Sequence, residues 1–272
     1  MRRFNLSTPA ILLLACFFYG CPSSMTTRDA WTDVLQPCSS SDLLGEDFVF
    51  FGASNTLGVG SVLRKTDNKS YSVSFSLNDL GIGSDKIKTI VHENAEANCL
   101  GKSKVTISGD VALSIASLSA ITGDLKSSIS EAKQVTVSVD AWRLENLVED
   151  NYELAVKNLG AGNIHYQHLR EGNRYVIDNA VWVRGLNLVI EFNKAVKGSL
   201  EAKTPSIVIG GTKDDKVEFT TNWVSDNMLK LTCTNPIYIA GNLAKYSENG
   251  FQEAQSHFVM DKSSKKDVLV TH

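Results

Sequence analysis

Apolar and small polar residues alternate along residues 104–139 for much longer than in an ordinary strand. A period of two is typical of a β-strand with one buried and one exposed face, and such strands usually have about five or six residues. The apolar side of the first half includes Val111, Leu113 and Ile115. Thr122-Gly123-Asp124 interrupts the pattern where a hairpin turn belongs. We therefore predict a long amphipathic β-hairpin with arms over 104–121 and 125–139.

Shorter apolar runs bounded by turn residues predict the remaining strands. These runs cover 48–51, 61–65, 71–77, 174–192, 206–209, 216–224, 229–233 and 237–239. Helical spacing of apolar residues predicts helices over Arg28–Leu35, after Ser84, and after Asp140 as far as Leu159. The order of elements predicts an α+β fold that is β-rich, with a mostly antiparallel twisted sheet, long amphipathic strands and two or three helices.

The N-terminus has the pattern of a secretory signal peptide. Arg2 and Arg3 precede an apolar run over 10–19, which is too short to span a bilayer because a spanning helix needs about 20 residues. Gly20-Cys21 follows at once. A small residue before a cysteine at this point resembles the lipobox of bacterial lipoproteins, in which the cysteine is acylated and becomes the mature N-terminus. We therefore predict that Cys21 carries the lipid.

Two alternatives to Cys21 stay open. Leu13-Leu14-Ala15-Cys16 is closer to the lipobox in its residues, but cleavage before Cys16 leaves a hydrophobic core of only 10–15. The other alternative is an ordinary cleaved signal peptide followed by a cysteine that carries no lipid.

Composition and charge limit the class of protein. The chain has 272 residues, an apolar fraction of 43% and a formal charge of −3. This composition is that of a globular protein, and without a basic excess nothing indicates a nucleic-acid partner. We predict a signal peptide over 1–20, a tether and short helix over 21–44, a single β-rich domain over 45–245 and a polar mobile tail over 246–272.

Three cysteines remain beyond the predicted lipidation site: Cys38, Cys99 and Cys233. In an oxidising compartment they allow one disulfide and one free thiol. Buried free cysteines are an equally good interpretation of the same residues. Their wide spacing excludes a compact zinc site.

The motifs of common enzyme classes are missing from the sequence. Gly101-Lys102-Ser103 has the end of a P-loop, but Glu96 occupies the position of the required first glycine. No G-x-S-x-G motif is present. His165 and His168 could share a face near Glu171, yet histidines in a polar stretch are more often solvent-exposed than metal-bound. We predict no enzyme activity, no cofactor and no metal site.

The predicted hairpin has two interpretations. In a soluble protein, one face of the hairpin packs on the core, and a lysine at Leu113 destabilises the domain. In a pore-forming protein, the arms cross a bilayer, where a strand needs about 9–11 residues with alternating lipid-facing and water-facing side chains. Val111, Leu113 and Ile115 are then the membrane-facing residues.

The stretch Gly172-Asn173-Arg174-Tyr175-Val176-Ile177-Asp178-Asn179-Ala180-Val181 resembles the N-x-Y-V-V-x-E-A-V strand of gasdermin pore-forming domains. The order of elements before it is also similar: an amphipathic hairpin, the V-T-V-S strand at Val135–Ser138, and a helix. The resemblance covers residues 105–200, about a third of the chain, and Asn179 departs from it by replacing an acidic residue. It implies a related fold and a pore-forming function.

These observations predict a membrane-anchored bacterial lipoprotein that acts as a non-enzymatic binding or assembly component of the cell envelope. Residue 22 is not the aspartate that signals inner-membrane retention, so we expect the protein on the outer membrane, facing the periplasm. Its partners are membrane lipid, through the acylated cysteine, and an envelope protein or further copies of itself. The alternative is a gasdermin-like pore-forming or membrane-inserting protein.

Overall fold

The structure is a computed structural model, and it describes most of the chain from residue 25 onward. The described residues are 25–39, 48–65, 71–118, 121, 123–203, 206–209, 216–233, 235–247, 250–251 and 270–271. The predicted signal peptide, Cys16, Cys21 and most of the predicted tail lie outside these residues.

A larger sheet is built around the long strand β9, which runs from Arg174 to Arg184. Its main strand order is β1-β14-β9-β2-β3-β16, with β8 also pairing with β9, β4 and β5 pairing with β8, and β15 pairing with β14. The other strands of this sheet are β1 (Val49–Ser54), β2 (Val62–Lys65), β3 (Tyr71–Phe75), β4 (Val91–Glu93), β5 (Ala97–Asn98), β8 (Ala141–Leu147), β14 (Ile237–Ser247), β15 (Gly250–Phe251) and β16 (Val270–Thr271). All of its pairs are antiparallel except that of β16 with β3.

A smaller sheet is antiparallel throughout and has the order β11-β12-β13-β10-β7-β6. Its strands are β6 (Val105–Ile107), β7 (Gln134–Ser138), β10 (Leu186–Glu191), β11 (Ser206–Ile209), β12 (Val217–Ser225) and β13 (Met228–Cys233). Along β10, β11 and β13, buried and more exposed residues alternate, which is the pattern of a sheet with one face on the core.

Seven short α-helices complete the described part of the fold. They are α1 (Thr27–Leu35), α2 (Ser84–Ile90), α3 (Gly109–Ile115), α4 (Asp124–Ser130), α5 (Glu149–Lys157), α6 (Ile164–Leu169) and α7 (Lys197–Leu200). The main hydrophobic core joins buried side chains of α1, α3 and α4 to the inner face of the smaller sheet. A second core packs α5 and α6 against the larger sheet.

The predicted α+β class, with its mostly antiparallel β-rich sheets, is confirmed. The extended run over 174–192 is also confirmed, as β9 and β10 separated by Gly185. Gly185 has a φ of +69°, and a Cβ atom there would lie 2.1 Å from the Oδ2 atom of Asp140. The turn therefore needs glycine both for its backbone conformation and for space.

The prediction of a long hairpin over 104–139 is wrong for its central part. Strand pairing is limited to β6 and β7, and residues 109–115 and 124–130 form α3 and α4. Both helices bury their apolar side chains against α1 and the smaller sheet. Tertiary packing has therefore overridden the strand pattern in this part of the chain.

The prediction of a helix directly after Asp140 is also wrong in its first half. Residues 141–147 form β8, which lies between β9 on one edge and β4 and β5 on the other. The predicted helix begins only at Glu149, in α5. Hydrogen bonds to strands on both edges satisfy the backbone of 141–147 without helix formation.

Candidate functional site

The segment that connects β6 to β7 is the candidate functional site, and we call residues 105–138 the β6–β7 segment. In α3, the side chain of Ser108 caps the helix by accepting a hydrogen bond from the backbone N–H of Val111 at 3.4 Å. Leu113 and Ile115 are buried in the main core and Val111 is half-buried. The three residues predicted to face a membrane are thus brought together in one helix that packs on the core. Their contact with lipid stays a prediction.

The start of α3 lies directly against the end of α4. A Cβ atom at Gly109 would lie 1.8 Å from the carbonyl oxygen of Ile129, so only glycine fits between the two backbones. The Ser130 hydroxyl also donates a hydrogen bond to the carboxylate of Asp110. The sequence shows Gly109 only as one small residue in an alternating pattern, and this close approach could not be inferred from it.

The two strands at the base of the segment have a simple antiparallel register. Val105 pairs with Val137, Thr106 with Thr136 and Ile107 with Val135. Ile107, Val135 and Val137 face the core, whereas Thr106 is exposed. β6 is an edge strand of the smaller sheet, so its second edge has no strand partner in the part of the chain that the structure describes.

Helix α1 packs against α3. Trp31 and Val34 are fully buried and belong to the same hydrophobic core as Leu113 and Ile115. The hydroxyl groups of Thr27 and Ser114 are 2.8 Å apart and share a hydrogen bond. The helix itself begins with a capping box, in which Thr26 and Asp29 bond to each other's backbone N–H groups.

A disulfide between Cys38 and Cys99 fastens the end of α1 to the base of the β6–β7 segment. Of the alternatives for the cysteines, the structure therefore shows one disulfide and one free thiol, that of the buried Cys233. Burial raises the pKa of the Cys233 thiol to about 11, which keeps it protonated at neutral pH.

A second polar cluster lies on β8, in the region predicted as helix. The guanidinium of Arg143 bonds to Glu145 at 2.7 Å and to Glu93 at 3.0 Å, and it lies 4.2 Å from the ring of Trp182. Tyr238 donates a hydrogen bond to the second carboxylate oxygen of Glu145 at 2.8 Å. Burial, with the Glu145 carboxylate beside it, raises the pKa of Tyr238 well above its usual range.

Glu93, Arg143, Glu145 and Tyr238 line a polar cavity of about 500 Å³. Both carboxylate oxygens of the buried Glu145 already accept hydrogen bonds, from Arg143 and Tyr238. Hydrogen bonds among buried polar groups of this kind fix the packing of the strands that carry them, β8 and β14.

The histidines considered as a metal pair lie on α6. The ring of His165 packs against that of Phe75, with centroids 4.7 Å apart, and His168 lies 4.0 Å from the carboxylate of Glu171. Within the ranges that the structure describes, no group of three or more His, Cys, Asp or Glu side chains is arranged to hold a metal ion. No helix among the described residues is both long and apolar enough to cross a membrane.

Comparisons with known proteins show a likeness to solved structures. No protein-family model matches the sequence, and no curated protein matches it. The fold is similar to that of a bacterial gasdermin from Bradyrhizobium tropiciagri, with a TM-score of 0.39 and 10% sequence identity, over 76% of this chain and 86% of that chain.

Proposed function

We propose that the protein inserts into a membrane by converting the β6–β7 segment into one extended amphipathic hairpin. The observation that carries this proposal is the register of β6 with β7. When the three observed pairs are continued towards the turn, Leu113 falls opposite Ile129 and Ser114 falls opposite Ser128. Each further pair adds one rung to a ladder that already exists at the base.

The extended register separates apolar from polar residues. The face that continues the buried side of β6 and β7 carries Val105, Ile107, Val111, Leu113, Ile115, Leu125, Ile129, Val135 and Val137. The opposite face carries Thr106, Ser108, Asp110, Ser114, Asp124, Lys126, Ser128, Ser130, Gln134 and Thr136, together with Ala112, Ala116 and Ala132 and, next to the turn, Leu118. A sheet with one apolar and one polar face suits a strand pair that meets lipid on one side and water on the other.

The length of the hairpin also fits a bilayer. Each arm runs for about 13 residues from the base to the turn region at 118–124, whereas a tilted strand needs about 9–11 to cross the apolar part of a membrane. Glu131 and Lys133 are the charged residues on the apolar face. Lys133 lies towards the base, opposite residue 109, whereas Glu131 stands opposite Val111 in the middle of its arm. Insertion of this face therefore requires Glu131 to pair with Lys133, its neighbour on the same face.

The helices of the β6–β7 segment are short enough to convert. α3 and α4 have seven residues each, and isolated helices of fewer than about 12 residues are marginal in water. Their stability therefore depends on packing against α1 and the sheet. In lipid, the edges of a single hairpin would leave backbone groups unpaired, so several copies must pair edge to edge into a closed ring. The partner that this proposal requires is a further copy of the chain.

A fluorophore scan tests the conversion. Single cysteines at 110 to 115, labelled with an environment-sensitive dye, are compared in solution and with liposomes. With liposomes, we expect bluer emission at 111, 113 and 115 than at 110, 112 and 114, because a strand alternates with a period of two. In solution, dyes at 112, 113 and 115 are in the core, so the emission should follow the helix instead. The emission of the same dye at residue 168 in α6, in a His168→Cys variant, should not change on liposome binding. A helical periodicity in the liposome spectra, or no change at any position, would contradict the proposal.

A second candidate function is that of a lipid-anchored component of the cell envelope. The disulfide supports a location outside the cytosol. Disulfides persist in oxidising compartments such as the periplasm and are rare in the cytosol. Cys38–Cys99 therefore supports export of the chain, as the signal-peptide pattern predicts. Export is compatible with both candidate functions.

Labelling of cells with a radioactive fatty acid tests the anchor. We expect label on the wild-type protein and none on Cys21→Ser. Label that survives in Cys21→Ser but is lost in Cys16→Ser would move the anchor to Cys16. No label on the wild-type protein would contradict lipidation.

A further inference from the structure

The Cys38–Cys99 disulfide joins two parts of the fold that would have to separate during membrane insertion. One part is α1, whose buried residues Trp31 and Val34 pack in the same core as Leu113 and Ile115 of α3. The other is the base of the β6–β7 segment. α3 cannot extend into a strand while α1 stays packed on it, because the side chains shared between the two helices would lose their partners.

The Cys99 end of the disulfide is held firmly. Its backbone N–H donates to the carbonyl of Asp140 at 2.8 Å, and its carbonyl accepts from Lys102 at 2.9 Å and Ser103 at 3.1 Å. Cys99 is fully buried. The position of Cys99 is thus fixed by hydrogen bonds in the turn that links β5 to β6.

The Cys38 end is less firmly held and more accessible. Cys38 is the last residue of the 3-10 turn Gln36–Cys38 that follows α1, and it is half-buried beside the exposed Gln36 and Pro37. Near the start of α1, the side-chain bond to α3 in the described structure is the one between Thr27 and Ser114. Besides hydrophobic packing, the disulfide at Cys38 is therefore what attaches the end of α1 to the core.

We propose that the Cys38–Cys99 disulfide is a redox lock that keeps α1 on α3 and so prevents the β6–β7 segment from extending. The lock presupposes the membrane insertion proposed above. It opens when a dithiol reductant, of the kind that a Cys-x-x-Cys protein provides, transfers two electrons and two protons to the disulfide. The protein then holds two thiols, and the reductant becomes a disulfide.

The exposure of the two sulfurs sets the order of the exchange. A thiolate of the reductant attacks the Sγ atom of the half-buried Cys38 and forms a mixed disulfide, while Cys99 leaves as a thiolate and takes up a proton. The second thiol of the reductant then attacks the reductant's first sulfur in the mixed disulfide. This attack closes the reductant's disulfide and releases Cys38, which is protonated. The end of α1 is then free of the base of the segment.

Hydrogen exchange tests the lock without a membrane. In Cys38→Ser/Cys99→Ser, we expect amide exchange over 109–130 at least about ten times faster than in the oxidised wild type, with a smaller change in β10 and β13. Leu169→Ala is the matched control, because Leu169 is fully buried in the core beside α6, away from α1. Equal acceleration of 109–130 and of β10 and β13 in the double-serine variant would overturn the lock and leave a disulfide that stabilises the whole domain.

A second disulfide at another place distinguishes the lock from a local effect of the cysteines. The hydroxyl groups of Thr27 and Ser114 are in hydrogen-bond contact, so Thr27→Cys/Ser114→Cys should form a disulfide across α1 and α3. We expect this second disulfide, when it is introduced into the double-serine variant, to restore slow exchange over 109–130. Exchange that stays fast, with the new bond confirmed by mass spectrometry, would overturn the lock.

Dye release from liposomes separates the lock from the proposed function. We expect release to be at least about ten times faster from reduced wild-type protein than from oxidised protein. Equal release in both states would overturn the lock and leave membrane insertion standing. Faster hydrogen exchange on reduction without dye release would overturn insertion and leave the lock on α3 standing.

Discussion

Gly109→Ala is expected to loosen the contact between α3 and α4 and to speed membrane insertion. In most helices this change stabilises, because alanine has the better helix propensity by about 1 kcal/mol. Here the new Cβ atom would lie 1.8 Å from the carbonyl oxygen of Ile129, and backbone must move to admit it. We expect a loss of about 2 kcal/mol in the free energy of unfolding.

The same alanine meets no obstacle in the extended hairpin. Residue 109 would stand opposite Lys133 there, and the alanine would lie within a strand, where glycine is unfavourable. The substitution thus raises the free energy of the helical form alone, so dye release from liposomes should become several times faster as the melting temperature falls.

Gly198→Ala is the matched control for Gly109→Ala. Gly198 is also near the start of a short helix, α7, and a Cβ atom there would have no neighbour within 4 Å. We expect Gly198→Ala to leave both the melting temperature and dye release close to those of the wild type. An unchanged melting temperature in Gly109→Ala would show that the two backbones do not meet as described.

Residues 109–116 show why the sequence predicts a strand where the structure has a helix. Val111, Leu113 and Ile115 have the spacing of one face of a strand. Ala112, Leu113, Ile115 and Ala116, which are all buried, have the spacing of one face of a helix. The pattern therefore fits both structures, and the choice depends on contacts with α1, which is about 80 residues away in the chain and whose packing no local pattern encodes.

The elements that the sequence predicts well are those with a single periodicity. In β13, the apolar residues Leu229, Leu231 and Cys233 alternate with Lys230 and Thr232, so the strand over 229–233 is correctly predicted. In β8, Leu144 and Leu147 are three residues apart and indicate a helix, although the backbone there bonds to strands on both edges. Pairing with distant strands decided that segment.

The site could be predicted in its location and not in its contacts. The alternation over 104–139 identified the segment, and the three cysteines allowed one disulfide without specifying which. The close approach at Gly109, the bond between Thr27 and Ser114, and the pairing of Arg143 with Glu93 each join residues that are brought together only by the fold. Such contacts leave no signal in a single sequence.

Leu113→Lys is expected to destabilise the soluble form as strongly as any single change in the β6–β7 segment, and also to abolish dye release. Leu113 is only 7% exposed in the main core, so the lysine would bury an unpaired charge as well as remove an apolar contact. We expect a loss of about 4 kcal/mol in the free energy of unfolding. For a domain of this size that corresponds to a fall of roughly 10 °C in melting temperature.

In the hairpin, residue 113 lies near the middle of the apolar face, where a lysine facing lipid costs about 2–4 kcal/mol. Ser128→Lys is the matched control, because residue 128 is in the opposite arm at nearly the same depth and on the polar face. We expect Ser128→Lys to retain dye release. Thermal unfolding and dye release are measured on the same preparations, at a temperature where every variant is folded before liposomes are added.

Comparison with Gly109→Ala separates the effect of Leu113→Lys on stability from its effect on contact with lipid. Both changes weaken the packing of α3, and weaker packing by itself should make conversion to the hairpin faster. Gly109→Ala leaves the apolar face intact, so release should increase, whereas Leu113→Lys places a charge on that face, so release should stop although the soluble form is less stable. Dye release from Leu113→Lys as fast as that from Gly109→Ala would show that residue 113 does not meet lipid, and would contradict insertion of this face.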